Sequence, residues 1–151
     1  MFVCTGNTCR SAMAHHMLEK MIKEKDNVEV YSCGIYADSG EPATYSAIDV
    51  MKEYGVDMNN HRATNIKETK IEQMDLILCA TVSHKQLVLN MYPELTGKVY
   101  TLKEYVGIGK EGKNMDIKDP WGCNIETYKQ CAEEIKQCLE MLIDNNSKKG
   151  I

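Results

Sequence analysis

Apolar residues recur along this chain in two rhythms, short unbroken runs and longer stretches spaced by three and four, and each rhythm predicts an element. Phe2-Val3 is a stub of strand running into Cys4-Thr5-Gly6-Asn7-Thr8. From Ser11 to about Lys25, Met13, Met17, Leu18, Met21 and Ile22 mark one face of a helix. Val28 to Ser32 alternates as a strand before a turn at Gly34. Pro42 suits the first turn of a helix carrying Ala43, Ala47, Ile48 and Met51, and Gly55 suits its C-terminal cap. Ile66 to Gln73 predicts a short helix, and Asp75 to Ala80 a strand buried on both faces and central in its sheet. Ser83 can cap a helix to about Met91, Lys98 to Leu102 reads as a strand, and the polar stretch Gly107 to Lys118 as a loop ending in Asp119-Pro120-Trp121-Gly122. Tyr128, Cys131, Ala132, Ile135, Cys138, Leu139 and Leu142 then define a long amphipathic helix that fades into a polar tail from about residue 144 to 151.

Strands alternating with helices imply an α/β fold, a four-stranded parallel sheet with helices on both faces. No repeat or linker divides residues 1–151, so a single domain is expected. In such folds ligands sit beyond the carboxyl ends of the strands, which turns attention to the loop after the first one.

Composition narrows the partners. With 18 Lys+Arg against 22 Asp+Glu the formal charge is −4, and no basic patch suggests nucleic acid. No apolar run approaches the roughly 20 residues needed to cross a bilayer, and the start leads directly into the first strand; a soluble, monomeric, cytoplasmic protein without a leader is expected. The seven cysteines, an odd number without paired spacing, fit reduced thiols, several of them core residues.

Cys4 to Ser11 reads C-T-G-N-T-C-R-S, a cysteine at a strand end, an arginine six positions on, and a helix beginning at once. These are the parts of an anion site. Backbone N–H groups of a tight loop through Thr5, Gly6, Asn7, Thr8 and Cys9 can converge on phosphate oxygens, and the helix N-terminus adds unsatisfied donors. Arg10 can clamp two of those oxygens. The same positive field favours a thiolate at Cys4, and the Ser11 hydroxyl can donate to its sulfur. A nucleoside triphosphate loop is excluded, because its second glycine and lysine are missing.

Cleavage of a phosphoryl group also needs an acid for the leaving group. Asp119 is the candidate: Pro120 restricts the backbone beside it, and Trp121 offers an apolar wall for a substrate. The resulting carboxylate can then activate water in a second step.

Together, C-T-G-N-T-C-R-S and Asp119-Pro120-Trp121 resemble the low-molecular-weight protein tyrosine phosphatases over nearly the whole chain. The resemblance implies Cys4 as nucleophile, Arg10 as phosphate clamp, Asp119 as general acid, and Asn7 and Ser11 as supports of the loop and thiolate. It implies phosphorylated proteins as substrates and neither metal nor organic cofactor. Cys9 matches the family position that can trap an oxidised nucleophile as a reversible disulfide, and His61 a histidine that braces the loop through Asn7.

Within the family, Thr8 and the segment Thr101 to Val106 resemble the bacterial protein-arginine phosphatases, whereas many tyrosine phosphatases carry an aliphatic residue at the position of Thr8. A slender polar guanidinium suits a hydroxyl and a carboxylate, while a phenyl ring wants an apolar collar. Gly122, where tyrosine phosphatases often carry a second aromatic, points the same way; the large Trp121 points to phosphotyrosine. The expected activity is therefore hydrolysis of protein phosphoarginine through a cysteinyl-phosphate, with phosphotyrosine as the alternative. A thiol-linked arsenate reductase would need a partner for Cys79 where the chain has Gln86, and a non-catalytic phosphate-binding redox sensor would not need nucleophile, clamp and acid together. Zinc is not expected, because Cys4 and Cys9 lack a second pair at ligand spacing; His15 and His16 read as solvated or local contacts.

Overall fold

The computed structural model describes residues 1–22, 26–109 and 113–148. Four three-residue strands, β1 (Phe2–Cys4), β2 (Ser32–Gly34), β3 (Ile77–Cys79) and β4 (Val99–Thr101), form one sheet in the order β2-β1-β3-β4, every pair parallel. This is the expected α/β architecture, with β1 and β3 as the inner strands. Side chains alternate along β1 and β3 and so supply two cores. Phe2 and Leu78 pack with α1 (Arg10–Met21), α2 (Tyr45–Glu53) and α5 (Ile125–Lys148), where Met13, Met51, Ile135 and Leu139 are fully buried. Val3, Ile77 and Cys79 pack on the opposite face with Ile66, Ile71, Val99 and with Val88 of α3 (Val82–Met91). Each such side chain contributes roughly 1.5–3 kcal/mol on leaving water.

Several boundaries move from those the pattern suggests. β2 lies at Ser32–Gly34 rather than Val28–Ser32, because its partners are Phe2, Val3 and Cys4, while Val28 is exposed. Gly34 is therefore a strand residue, not a turn. A Cβ there would lie 2.5 Å from the Thr5 carbonyl oxygen and 2.8 Å from the Asn7 nitrogen, so only glycine lets β2 pass this close to the loop after β1. Pro42 bridges to Arg62 outside α2, which Thr44 caps through the Ala47 amide; Gly55, at φ 71°, does follow that helix. Thr81, not Ser83, caps α3 by accepting from the His84 amide. After β4 the chain turns at once into α4 (Leu102–Val106), held by a capping box of Thr101 and Glu104 that the expected strand to Leu102 overlooks. The expected loop from Gly107 is described on both sides of residues 110–112 and contains no helix there. α5 runs to Lys148 instead of fading at Asp144; the expected extension of α1 to Lys25 lies outside the described residues.

Candidate active site

β1 ends at Cys4 and α1 begins at Arg10, so five residues carry the chain through a tight loop beyond the sheet's carboxyl edge. Asn7 makes the turn with φ 57°, a left-handed conformation that asparagine tolerates better than most residues. It is fully buried and every polar group on it is used. Its amide faces the Cys4 sulfur at 3.3 Å, its carbonyl accepts from His61 Nε2 at 2.7 Å, and its Oδ1 accepts from the Thr64 amide at 2.9 Å. Its Nδ2 donates to Ser11 Oγ at 2.8 Å and Ser32 Oγ at 3.0 Å. Ser11 Oγ accepts from Asn7, and its own proton is shared between the Cys4 sulfur, 2.9 Å away, and the Cys33 carbonyl at 3.3 Å. The sulfur thus has two donors and the start of α1 beside it, an arrangement that stabilises negative charge. His61 is where the resemblance placed it; burial lowers its pKa, so it stays neutral and its Nε2–H is the donor.

A second side of the loop is held by a residue the sequence reading did not single out. Thr5 Oγ1 lies 2.8 Å from His84 Nε2, and Thr81 Oγ1 lies 2.9 Å from His84 Nδ1. Burial, and next the charge of Arg10, bring the His84 pKa down to about 4. A threonine at the loop's start and another capping the following helix was the available signal, but nothing in the sequence brings them together.

Arg10 is buried and donates from Nη1 to the Ile117 carbonyl at 2.9 Å, while its Nη2 lies 3.6 Å from Asp119 Oδ2. The structure therefore unites the two distant motifs. Ile117 is buried and its amide donates to the Ala80 carbonyl, at the end of β3. Beyond Pro120, also buried, the chain is exposed: Asp119 has 55% of its side chain in solvent and Trp121 is 69% exposed. The Asp119 Oδ1 accepts from the Trp121 amide at 3.0 Å. Tyr36 and Tyr45 are exposed as well, and both stand next to the loop: the Tyr36 amide bonds the Thr5 carbonyl, and the Thr44 amide bonds the Thr8 carbonyl. Three exposed aromatic residues, Trp121, Tyr36 and Tyr45, therefore lie on segments beside the loop or beside Asp119.

Thr8 is buried, with its hydroxyl 3.8 Å from the Cys9 sulfur and 3.6 Å from where a Cβ on Gly6 would lie. Cys9 packs between Tyr128 OH at 3.4 Å and Thr44 Oγ1 at 3.7 Å, and burial raises its pKa. Both Cys4 and Cys9 are free thiols. Cys79 is fully buried on β3, its thiol pushed up to about 12 by burial, and Gln86 stands on α3. His15 and His16 make the local contacts expected as one possibility, to each other and to Glu19, and their rings also join the network behind Asn7 through Ser32 and His61.

A parallel sheet whose first strand delivers a cysteine into an anion loop, closed by an arginine and an aspartate from a distant segment, defines a phosphatase of the low-molecular-weight, cysteine-containing class. The match of residues 1–150 to the model of the low molecular weight phosphotyrosine protein phosphatases places the chain in that family. It is 40% identical to a protein-arginine-phosphatase of Geobacillus stearothermophilus over 144 residues, 95% of this chain and 93% of that protein. The solved YwlE arginine phosphatase from Geobacillus stearothermophilus superposes with a TM-score of 0.88 at 36% identity, covering 98% of this chain and 92% of that one. A low molecular weight protein tyrosine phosphatase from T. tengcongensis superposes with a TM-score of 0.86 at 40% identity, covering 95% and 96%.

Proposed function

We propose that the chain hydrolyses phosphoarginine on proteins through a phosphocysteine intermediate. The observation that carries the chemistry is the Cys4 sulfur lying within 2.9 Å of Ser11 Oγ and 3.3 Å of the Asn7 amide, beside a helix start. Phosphate oxygens occupy the loop's backbone N–H groups and the guanidinium of Arg10, which its bond to Ile117 orients. The Cys4 thiolate attacks phosphorus; as the P–N bond breaks, Asp119 gives its proton to the leaving guanidine nitrogen. Water then attacks the phosphocysteine, the Asp119 carboxylate takes its proton, the S–P bond breaks, and phosphate leaves with the thiolate restored. The loop's donors are in position before the charge develops, so little reorganisation is needed in the transition state.

Thr8 supports the choice of substrate. Among the described residues its buried hydroxyl makes only a long contact with the Cys9 sulfur, 3.8 Å, which leaves it to a polar guanidinium or to water. The similarity to proteins called arginine phosphatases agrees with this reading. One observation favours phosphotyrosine: the exposed faces of Trp121, Tyr36 and Tyr45 would accept a phenyl ring.

The test is kcat/KM, under reducing conditions, on two peptides differing only in phosphoarginine or phosphotyrosine, with Cys4→Ser as blank. A strong preference for phosphoarginine is expected, and Thr8→Ile should shift the ratio toward phosphotyrosine by roughly 10- to 200-fold, the worth of a methylene-sized change in a pocket. A phosphotyrosine preference in the parent chain overturns the substrate and leaves Trp121 as the selector.

A further inference from the structure

Behind the loop, α1 turns two histidines and a glutamate to one side. His15 Nε2 lies 3.4 Å and His16 Nδ1 3.2 Å from the same oxygen, Glu19 Oε1, and the three ligand atoms lie within 4.8 Å of one another. The other ring nitrogens are already engaged: His15 Nδ1 with Ser32 Oγ at 2.7 Å, His16 Nε2 with His61 Nδ1 at 2.8 Å.

Hydrogen bonds to Ser32 and, through His61, to Asn7 hold the rings that face the glutamate. The Asn7 carbonyl can only accept, so His61 carries its proton on Nε2. Its other nitrogen, Nδ1, pairs with His16 Nε2 at 2.8 Å. The remaining nitrogen of His16, Nδ1, faces a carboxylate oxygen of Glu19 3.2 Å away. Left unprotonated, that nitrogen is a ligand atom for a metal ion, and the competing occupant is a proton.

We propose that His15, His16 and Glu19 form a binding site for a divalent transition ion of the zinc class. A tetrahedral ion with metal–nitrogen distances of about 2.0–2.1 Å and metal–oxygen distances of about 2.0–2.2 Å places its ligands roughly 3.3 Å apart, which matches both histidine–glutamate separations. Two imidazoles and a carboxylate suit zinc, copper or nickel rather than magnesium or calcium, which prefer oxygen alone. The rings are stacked 4.4 Å apart and nearly parallel, so both must tilt to share one ion. The groups that orient metal-bound histidines are in place, the Ser32 hydroxyl for either tautomer of His15 and His61 for His16. Both lead to Asn7, through its Nδ2 and its carbonyl, so an ion here stiffens the loop that carries Cys4.

Zinc also binds thiolates, so the test uses the Cys4→Ser chain, with Zn2+ titrated calorimetrically in chelator-treated buffer. One equivalent should bind and raise Tm. Glu19→Gln, at a half-exposed position, and His16→Gln should each weaken binding at least about tenfold. Co2+ in place of Zn2+ should give tetrahedral d–d bands without thiolate charge transfer, and the Asn7 side-chain amide signals should shift on saturation. Equal affinity in parent and Glu19→Gln, or a thiolate band, overturns the site by assigning the ion to a cysteine such as the exposed Cys123. Full binding with unmoved Asn7 signals overturns its link to the loop.

Discussion

Between Cys4 and Ser11 the pivotal residue, Asn7, is fully buried with every polar group bonded, whereas between Ile117 and Cys123 only Ile117 and Pro120 are buried and Asp119 stands more than half in solvent. Under the proposed mechanism, the difference follows from what each segment handles. A phosphoryl group always presents the same oxygens, and donors aimed at them act most strongly when they need not move. The leaving group changes with the substrate and must enter and depart, so the residue that meets it belongs on an open segment. In this chain the fixed part is stabilised by a network of asparagine, serines and histidines, and the open part is joined to Arg10 through the Ile117 carbonyl.

The contrast can be broken most forcefully at Cys4. Cys4→Ser should lower kcat by at least about 10⁴-fold while inorganic phosphate still binds by calorimetry, since the loop's donors remain. Asp119→Asn should lower kcat by roughly 10²–10⁴-fold with phosphate affinity nearly unchanged and the urea midpoint unmoved, because an exposed side chain holds little of the fold. Asn7→Ala should do the reverse in equilibrium unfolding: stability falls by about 2–4 kcal/mol as buried partners lose their bonds, and activity falls with it. If Asp119→Asn destabilised the chain as much as Asn7→Ala, the division between fixed and open segments would be wrong.

The smallest effect is one of pH. His84 has a folded pKa of about 4 against an ordinary 6.5, so between those values the unfolded chain takes up a proton that the folded chain refuses. This contribution is absent above pH 6.5 and destabilises the fold as pH falls toward 4, with Arg10 opposing the imidazolium and Asp116 and Asp119 favouring it. His84→Gln should flatten that part of the stability curve in urea titrations at successive pH values, while a slope identical to the parent's would remove His84 from the account.

What could be read from the sequence, and what could not, divides along physical lines. The parallel sheet and its helices followed from periodicity, because burial on two faces leaves a continuous apolar run such as Leu76 to Cys79, and burial on one leaves spacings of three and four. Cys4, Arg10 and Asp119 stood out as chemistry at telling positions, and the structure brings Arg10 and Asp119 to 3.6 Å of each other. Boundaries were less legible. The start of β2 depends on which residues its neighbour offers, and α4 depends on a four-residue capping box at the end of a strand. The histidines were least legible of all: His15, His16 and His84 look like ordinary polar residues on helices until the fold turns them toward Ser32, His61 and Thr5.

Ile117 carries a consequence for how such a protein can vary. Its side chain merely fills the core, yet its amide grips the end of β3 and its carbonyl grips Arg10. Because both grips are made by the peptide and not by the side chain, valine or leucine there would preserve them, and an inventory of chemically active residue types would pass the position by. Displacing this one peptide tugs the arginine and the aspartate together, so the pocket's two charged walls have a common mechanical joint that drift in the side-chain alphabet leaves untouched.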